Sequence, residues 1–118
     1  MEEIVKINFD DLRHDEDGYM FHEGNLFTGI AFDSKEDGKS EIEFVNGMED
    51  GWSRGWYKNG QLQGETYYTK GRANGANREW YENGQMKLEE EIIDGEGVWE
   101  RQWDEQGNLI TEIGKPSE

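Results

Sequence analysis

His14 and His22 are the only histidines in a chain of 118 residues that has no cysteine, so disulfides, thiolate nucleophiles and thiolate-bound metals are excluded. No serine stands at a spacing that would supply it with a base and an orienting acid. Carboxylates are the abundant reactive group, with 28 of them. A run such as Glu89, Glu90 and Glu91 nevertheless alternates between the two faces of a strand and builds no defined acid–base pair. The stretch Asp15-Glu16-Asp17-Gly18 has the outline of a calcium loop. Setting Gly18 at the sixth loop position puts Arg13 at the first and Gly24 at the twelfth, where carboxylates are required. The same test on Gly38 puts Lys35 at the third position and Phe44 at the twelfth. The glycines follow hairpin spacing and precede strands, so none cradles a phosphate. The sequence therefore predicts no enzyme: no catalytic residue, no metal, no cofactor and no small-molecule substrate.

What the chain does carry is charge. Twelve bases against 28 acids give a formal net charge of −16, more than solubility alone requires of a small domain. Residues 1–51 hold 15 acids and 4 bases, residues 52–88 hold 3 acids and 6 bases, and residues 89–118 hold 10 acids and 2 bases. Such a surface repels nucleic acid and anionic lipid and attracts basic proteins. No nucleic-acid or membrane partner is expected. No apolar run approaches the roughly 18 residues of a membrane span, and the acidic start Met1-Glu2-Glu3 has the wrong sign for a secretory leader. The expected location is the cytoplasm.

The elements that position these charges are marked by glycine. Gly24, Gly47, Gly71 and Gly95 recur every 23 or 24 residues, and Gly38, Gly60, Gly84 and Gly107 recur every 22 to 24. Most follow Asn or Asp, as in Asn46-Gly47, Asn59-Gly60, Asn83-Gly84 and Asp94-Gly95, the pairs that tolerate a two-residue type I′ hairpin turn. Between them lie segments rich in aromatic and branched residues. Internal repetition at this period means a repeat protein. With only 32% hydrophobic residues it cannot fill a large core, and a repeat sheet, which spreads its contacts along the ladder, does not need one. The expected fold is all-β: a single-layer antiparallel meander of stacked β-hairpin repeats. Residues 1–18 form an acidic N-terminal segment with one strand, residues 19–113 the repeat domain, and residues 114–118 a C-terminal tail.

Two-residue loops fix the register. Centring hairpins on Asn59-Gly60, Asn83-Gly84 and Gln106-Gly107 sets Arg54 opposite Glu65, Arg78 opposite Glu89, and Arg101 opposite Glu112. Each arginine precedes a tryptophan by two residues, at Trp56, Trp80 and Trp103, so the two share a face and the guanidinium is expected over the indole. These nine residues read as a structural ladder. With Asp37-Gly38 as a loop, Glu41 faces Ser34 and Glu43 faces Phe32, so both are expected to lack a basic partner in their hairpin. Glu49, Asp50, Glu90, Glu91, Glu96 and Glu100 also stand outside the pairing. Trp52 and Trp99 occupy a position that is Ala76 in the intervening copy, so the ladder does not demand an indole there. Glu41, Glu43, Glu49, Asp50, Trp52, Glu91, Glu96 and Trp99 are the expected partner-binding residues, with aromatic anchors supplying affinity and acids supplying encounter rate.

The units Arg54-Gly55-Trp56-Tyr57-Lys58-Asn59-Gly60-Gln61-Leu62 and Arg78-Glu79-Trp80-Tyr81-Glu82-Asn83-Gly84-Gln85-Met86 resemble the MORN repeat variant. With Leu26-Phe27-Thr28-Gly29 and Glu100-Arg101-Gln102-Trp103-Asp104 added, the chain is similar to bacterial antitoxins of the YwqK family over about residues 19–113. The resemblance implies a MORN-like β-solenoid and a cytoplasmic antitoxin or immunity protein that binds a cognate bacterial toxin domain. The charge adds that this toxin is basic, with a nuclease fitting best. Composition and repeat also suit a structural or scaffolding protein that mediates protein–protein interaction.

Overall fold

The computed structural model describes residues 4–116; the acidic start at residues 1–3 and the last two residues of the tail lie outside the described residues. Twelve strands follow in order: β1 (Lys6–Asn8), β2 (Arg13–His14), β3 (Met20–His22), β4 (Asn25–Leu26), β5 (Gly29–Lys35), β6 (Gly38–Val45), β7 (Met48–Tyr57), β8 (Leu62–Thr69), β9 (Arg72–Trp80), β10 (Met86–Ile93), β11 (Glu96–Trp103) and β12 (Leu109–Gly114). One 3-10 turn, Phe9–Asp11, separates β1 from β2. No helix among the described residues is long and apolar enough to cross a membrane.

From β5 onward the chain is an uninterrupted antiparallel meander, and the nine-stranded sheet is not closed into a barrel. At its N-terminal edge β1 adds parallel to β5, with Lys6 opposite Ile30. Strands β2, β3 and β4 form a separate small sheet. It is tied to the turn between β6 and β7: Met20 N–H donates to the Gly47 carbonyl and Gly47 N–H to the Phe27 carbonyl, both at 2.8 Å. Beneath it lies the only buried cluster of the described residues, Leu12, Phe27, Ala31 and Phe44, with Ile7, Met20 and Ile42 against it. The apolar core thus sits at one end. Beyond β7 the sheet relies on half-buried ladder residues and the buried Trp99, as its low hydrophobic content requires.

The chain measures 48 × 33 × 32 Å; the small sheet on the buried cluster adds to its thickness, and the long sheet carries bulges in several pairings, which increase strand twist.

The two glycine series make different turns. At Asn46-Gly47, Lys70-Gly71 and Asp94-Gly95 both residues have positive φ, 49° and 82°, 48° and 83°, 50° and 86°, as type I′ requires. At Gly60, Gly84 and Gly107 the glycine alone is positive. There Tyr57 N–H donates to the Gln61 carbonyl and Gly60 N–H to the Tyr57 carbonyl, a type I turn closed by a glycine bulge. The expected two-residue type I′ loops at Asn59-Gly60 and Asn83-Gly84 are therefore corrected to three-residue loops. Asn59 braces its loop through the side chain, whose Oδ1 accepts the Gln61 N–H at 2.9 Å. In the β5–β6 hairpin the loop is Glu36-Asp37, because Lys35 pairs with Gly38. That moves the register by two residues, so Glu41 faces Phe32 and Glu43 faces Ile30, not Ser34 and Phe32.

Candidate functional site

The three expected arginine–glutamate pairs stand directly opposite one another: Arg54 and Glu65, Arg78 and Glu89, Arg101 and Glu112. The same register continues between hairpins, with Glu41 opposite Arg54, Glu65 opposite Arg78, and Glu89 opposite Arg101. One row of alternating charge therefore crosses seven consecutive strands, Glu41, Arg54, Glu65, Arg78, Glu89, Arg101 and Glu112. Ion pairs close along it from Arg54 Nε to Glu65 at 3.0 Å, from Arg78 Nη1 to Glu65 at 2.9 Å, from Arg78 Nε to Glu89 at 3.3 Å, and from Arg101 to Glu112. Burial acts to lower the Arg78 pKa, but the carboxylates of Glu65 and Glu89 outweigh it and raise the pKa. Glu41 turns instead to Lys6 on β1, at 3.3 Å, so the N-terminal edge strand is held by the same row.

Guanidinium–indole contacts exist, but with the other tryptophan. Arg54 lies 4.4 Å from the Trp52 ring centre and Arg101 lies 5.2 Å from that of Trp99. Trp52 also meets Tyr67 edge-on at 5.0 Å, and Trp99 is 8% exposed. Both indoles are engaged in the ladder, Trp52 half-buried and Trp99 buried. In the middle copy Ala76 leaves the place vacant, a recess of about 200 Å³ reaching Trp99, and Arg78 binds two glutamates in place of a ring. Trp56, Trp80 and Trp103 are half-buried; the carbonyls of Trp80 and Trp103 accept from the hydroxyls of Tyr57 at 2.7 Å and Tyr81 at 2.8 Å. Each tyrosine ties its copy to the next one.

The expected acids divide in the same way. Glu43 fills a bulge: its Oε2 accepts the Trp52 N–H at 2.8 Å, beside Gly51, whose φ is 113° and where a Cβ would stand 1.8 Å from that oxygen. Glu90 accepts from Asn77 at 2.9 Å and Glu100 from Gln102 at 2.8 Å. Glu91 stands opposite both Ala76 and Trp99. Glu49 is half-buried, and that burial raises its pKa; Tyr68 nearby is raised by burial and then by the charge of Glu49. Asp50 and Glu96 make no ion pair among the described residues. Asp50 borders a groove of about 650 Å³ with Ile4, Val5, Gly29, Glu43 and Val45. Ile4, Val5 and Val45 are exposed there.

The structure gathers Glu41, Glu43, Glu49, Asp50 and Trp52 on β6 and β7, and Glu91, Glu96 and Trp99 on β10 and β11. Four strand spacings, about 19 Å, separate β7 from β11. Sequence reasoning missed Lys6, Gly51, Tyr57 and Tyr81. For the tyrosines a signal existed in their identical place before each Asn-Gly. Lys6 carried none, since its partner comes from a parallel strand outside the repeat. No group of three or more His, Cys, Asp or Glu side chains among the described residues is arranged to hold a metal ion.

Comparison with protein-family models, with curated proteins and with solved structures finds no match for the chain.

Proposed function

We propose that this chain is an antitoxin-type binding module that neutralises a basic bacterial toxin domain, working in the cytoplasm. One observation carries the reading. The row across the sheet holds four glutamates and three arginines, so nearly all of the net charge of −16 lies outside it, on carboxylates such as Asp50, Asp94 and Glu96 that make no ion pair among the described residues. Arg54, Arg78 and Arg101 are engaged within the row and do not offset them. Long-range attraction to a cationic protein follows, and a carboxylate array placed over a nuclease active site occupies the position of the substrate phosphates. Affinity also needs desolvated apolar contact. The groove bordered by Ile4, Val5, Val45 and Asp50 offers it next to an acid. Resemblance to the MORN repeat variant and the YwqK family supports the same role.

Co-expression with the protein encoded by the neighbouring reading frame tests it. Restored growth and a co-purifying complex that weakens with salt are expected. Continued growth arrest alongside soluble, folded protein would overturn the reading.

A further inference from the structure

β12 is the third copy of one strand type. In β8, β10 and β12 a residue is bulged out just after the turn, at the register shifts beside Leu62, Met86 and Leu109, and a glutamate follows: Glu65, Glu89 and Glu112. β8 and β10 are paired on both sides, each time by a strand that sets an arginine opposite the glutamate. Among the described residues β12 is paired on one side only, by β11. Its bulge leaves the following residues no less fit for pairing, because β8 and β10 carry the same bulge and accept an outer strand.

The outer edge is uncovered. Leu109, Ile110 and Ile113 are 54%, 62% and 57% exposed, and no proline or base lies between Leu109 and Gly114 to blunt pairing. The chain leaves the edge at Gly114, φ 75°, and Pro116 comes to line the recess beside Ala76 and Trp99. The opposite edge of the sheet, β1, has three residues, too short to offer a comparable ladder.

We propose that the outer edge of β12 is a docking slot for one extended strand of a protein partner, entering antiparallel with an arginine opposite Glu112. The alternation of charge across seven strands ends there on a negative residue, and an arginine is what both equivalent strands receive. A second copy of this chain fits poorly. Any register of β12 against itself sets Glu112 opposite an uncharged residue or another glutamate, and two chains of net charge −16 repel. The natural occupant rests on the reading above, in which the partner is a basic toxin domain; the slot itself rests on the edge.

A titration that uses no toxin tests it. The probe is a capped synthetic peptide with the sequence of β9, Arg72–Trp80, added to the isotope-labelled protein and followed by amide NMR. Saturable shifts centred on residues 111–114 are expected. Replacing the peptide arginine that corresponds to Arg78 by citrulline should weaken binding about two- to fivefold, and glutamate there more still. Absence of saturable shifts, shifts centred elsewhere, equal affinity for the arginine and glutamate peptides, or a dimer through β12 in sedimentation of the protein alone would each overturn the proposal. Failure of this titration leaves neutralisation standing, and failed neutralisation leaves the slot standing.

Discussion

The guanidinium of Arg54 lies 4.4 Å from the centre of the Trp52 ring, on the side away from the hairpin turn. That contact makes Trp52 part of the sheet: the indole is held between an arginine engaged with Glu65 and the ring of Tyr67, nearly perpendicular to it. Trp52→Ala should therefore destabilise by about 2–3 kcal/mol, combining lost apolar burial with lost cation–π and aromatic contact. Urea unfolding measures it. A loss below about 0.5 kcal/mol would make Trp52 an exposed anchor after all.

Arg78 and Arg101 occupy equivalent places but not equivalent networks. Arg78 bonds Glu65 and Glu89 together, while Arg101 pairs with Glu112 on the edge strand, where 43% of the arginine side chain is exposed. Arg78→Ala should cost about 1–2 kcal/mol and Arg101→Ala less than about 1 kcal/mol, since exposed pairs are screened. Differential scanning calorimetry of the two variants gives the order, and a larger loss at Arg101 would contradict the network.

Gly51 and Gly71 both have positive φ, 113° and 83°, but different surroundings. Nothing stands within 4 Å of a Cβ added at Gly71, whereas one at Gly51 meets the Glu43 carboxylate. Gly71→Ala should cost about 1 kcal/mol from backbone strain alone. Gly51→Ala should cost about 2–3 kcal/mol, because the carboxylate must also release the Trp52 N–H. Adding Glu43→Ala to Gly51→Ala should relieve the collision without restoring wild-type stability.

Burial raises the pKa of Glu49 above its ordinary value of 4.5, and the sign of the consequence is fixed. Between 4.5 and the raised folded value the native state holds more protons than the unfolded state, so this group's contribution to stability falls as pH rises through that window. Glu49→Gln should be at least as stable as wild type at pH 7, with the difference closing on acidification below pH 4.5. Chemical denaturation at several pH values checks this; a variant less stable at pH 7 would show that the Glu49 charge is supported.

The three arginine–glutamate pairs are legible from turn spacing alone, although for an incomplete reason. The expected two-residue loops are three-residue loops, and a bulged residue after each, at Gln63, Lys87 and Ile110, restores the expected register. The two departures cancel. At Glu36-Asp37 the loop has no trailing bulge, so nothing cancels the shift and Glu41 faces Phe32; it begins the row through the other side of β6, where the β6–β7 pairing and its bulge set it opposite Arg54. Trp52 and Trp99 depart from expectation for another cause: spacing says which residues share a face, but not toward which neighbour an arginine leans. The small sheet β2–β4 and the parallel β1 are illegible in the sequence, because their partners are set by packing on the core around Phe27 and Phe44 and not by the repeat.

The central claim is that acids outside the row, not those within it, meet the partner. Its most direct test reverses three of them together, Asp50→Lys, Asp94→Lys and Glu96→Arg; the preceding copy already carries Lys70 and Arg72 at the last two places, so the turn accepts them. Growth rescue against the toxin, with association rate and melting temperature, is the measurement. The account predicts a melting temperature within about 4 °C of wild type and association slowed at least about tenfold. Full rescue with an unchanged association rate would contradict it.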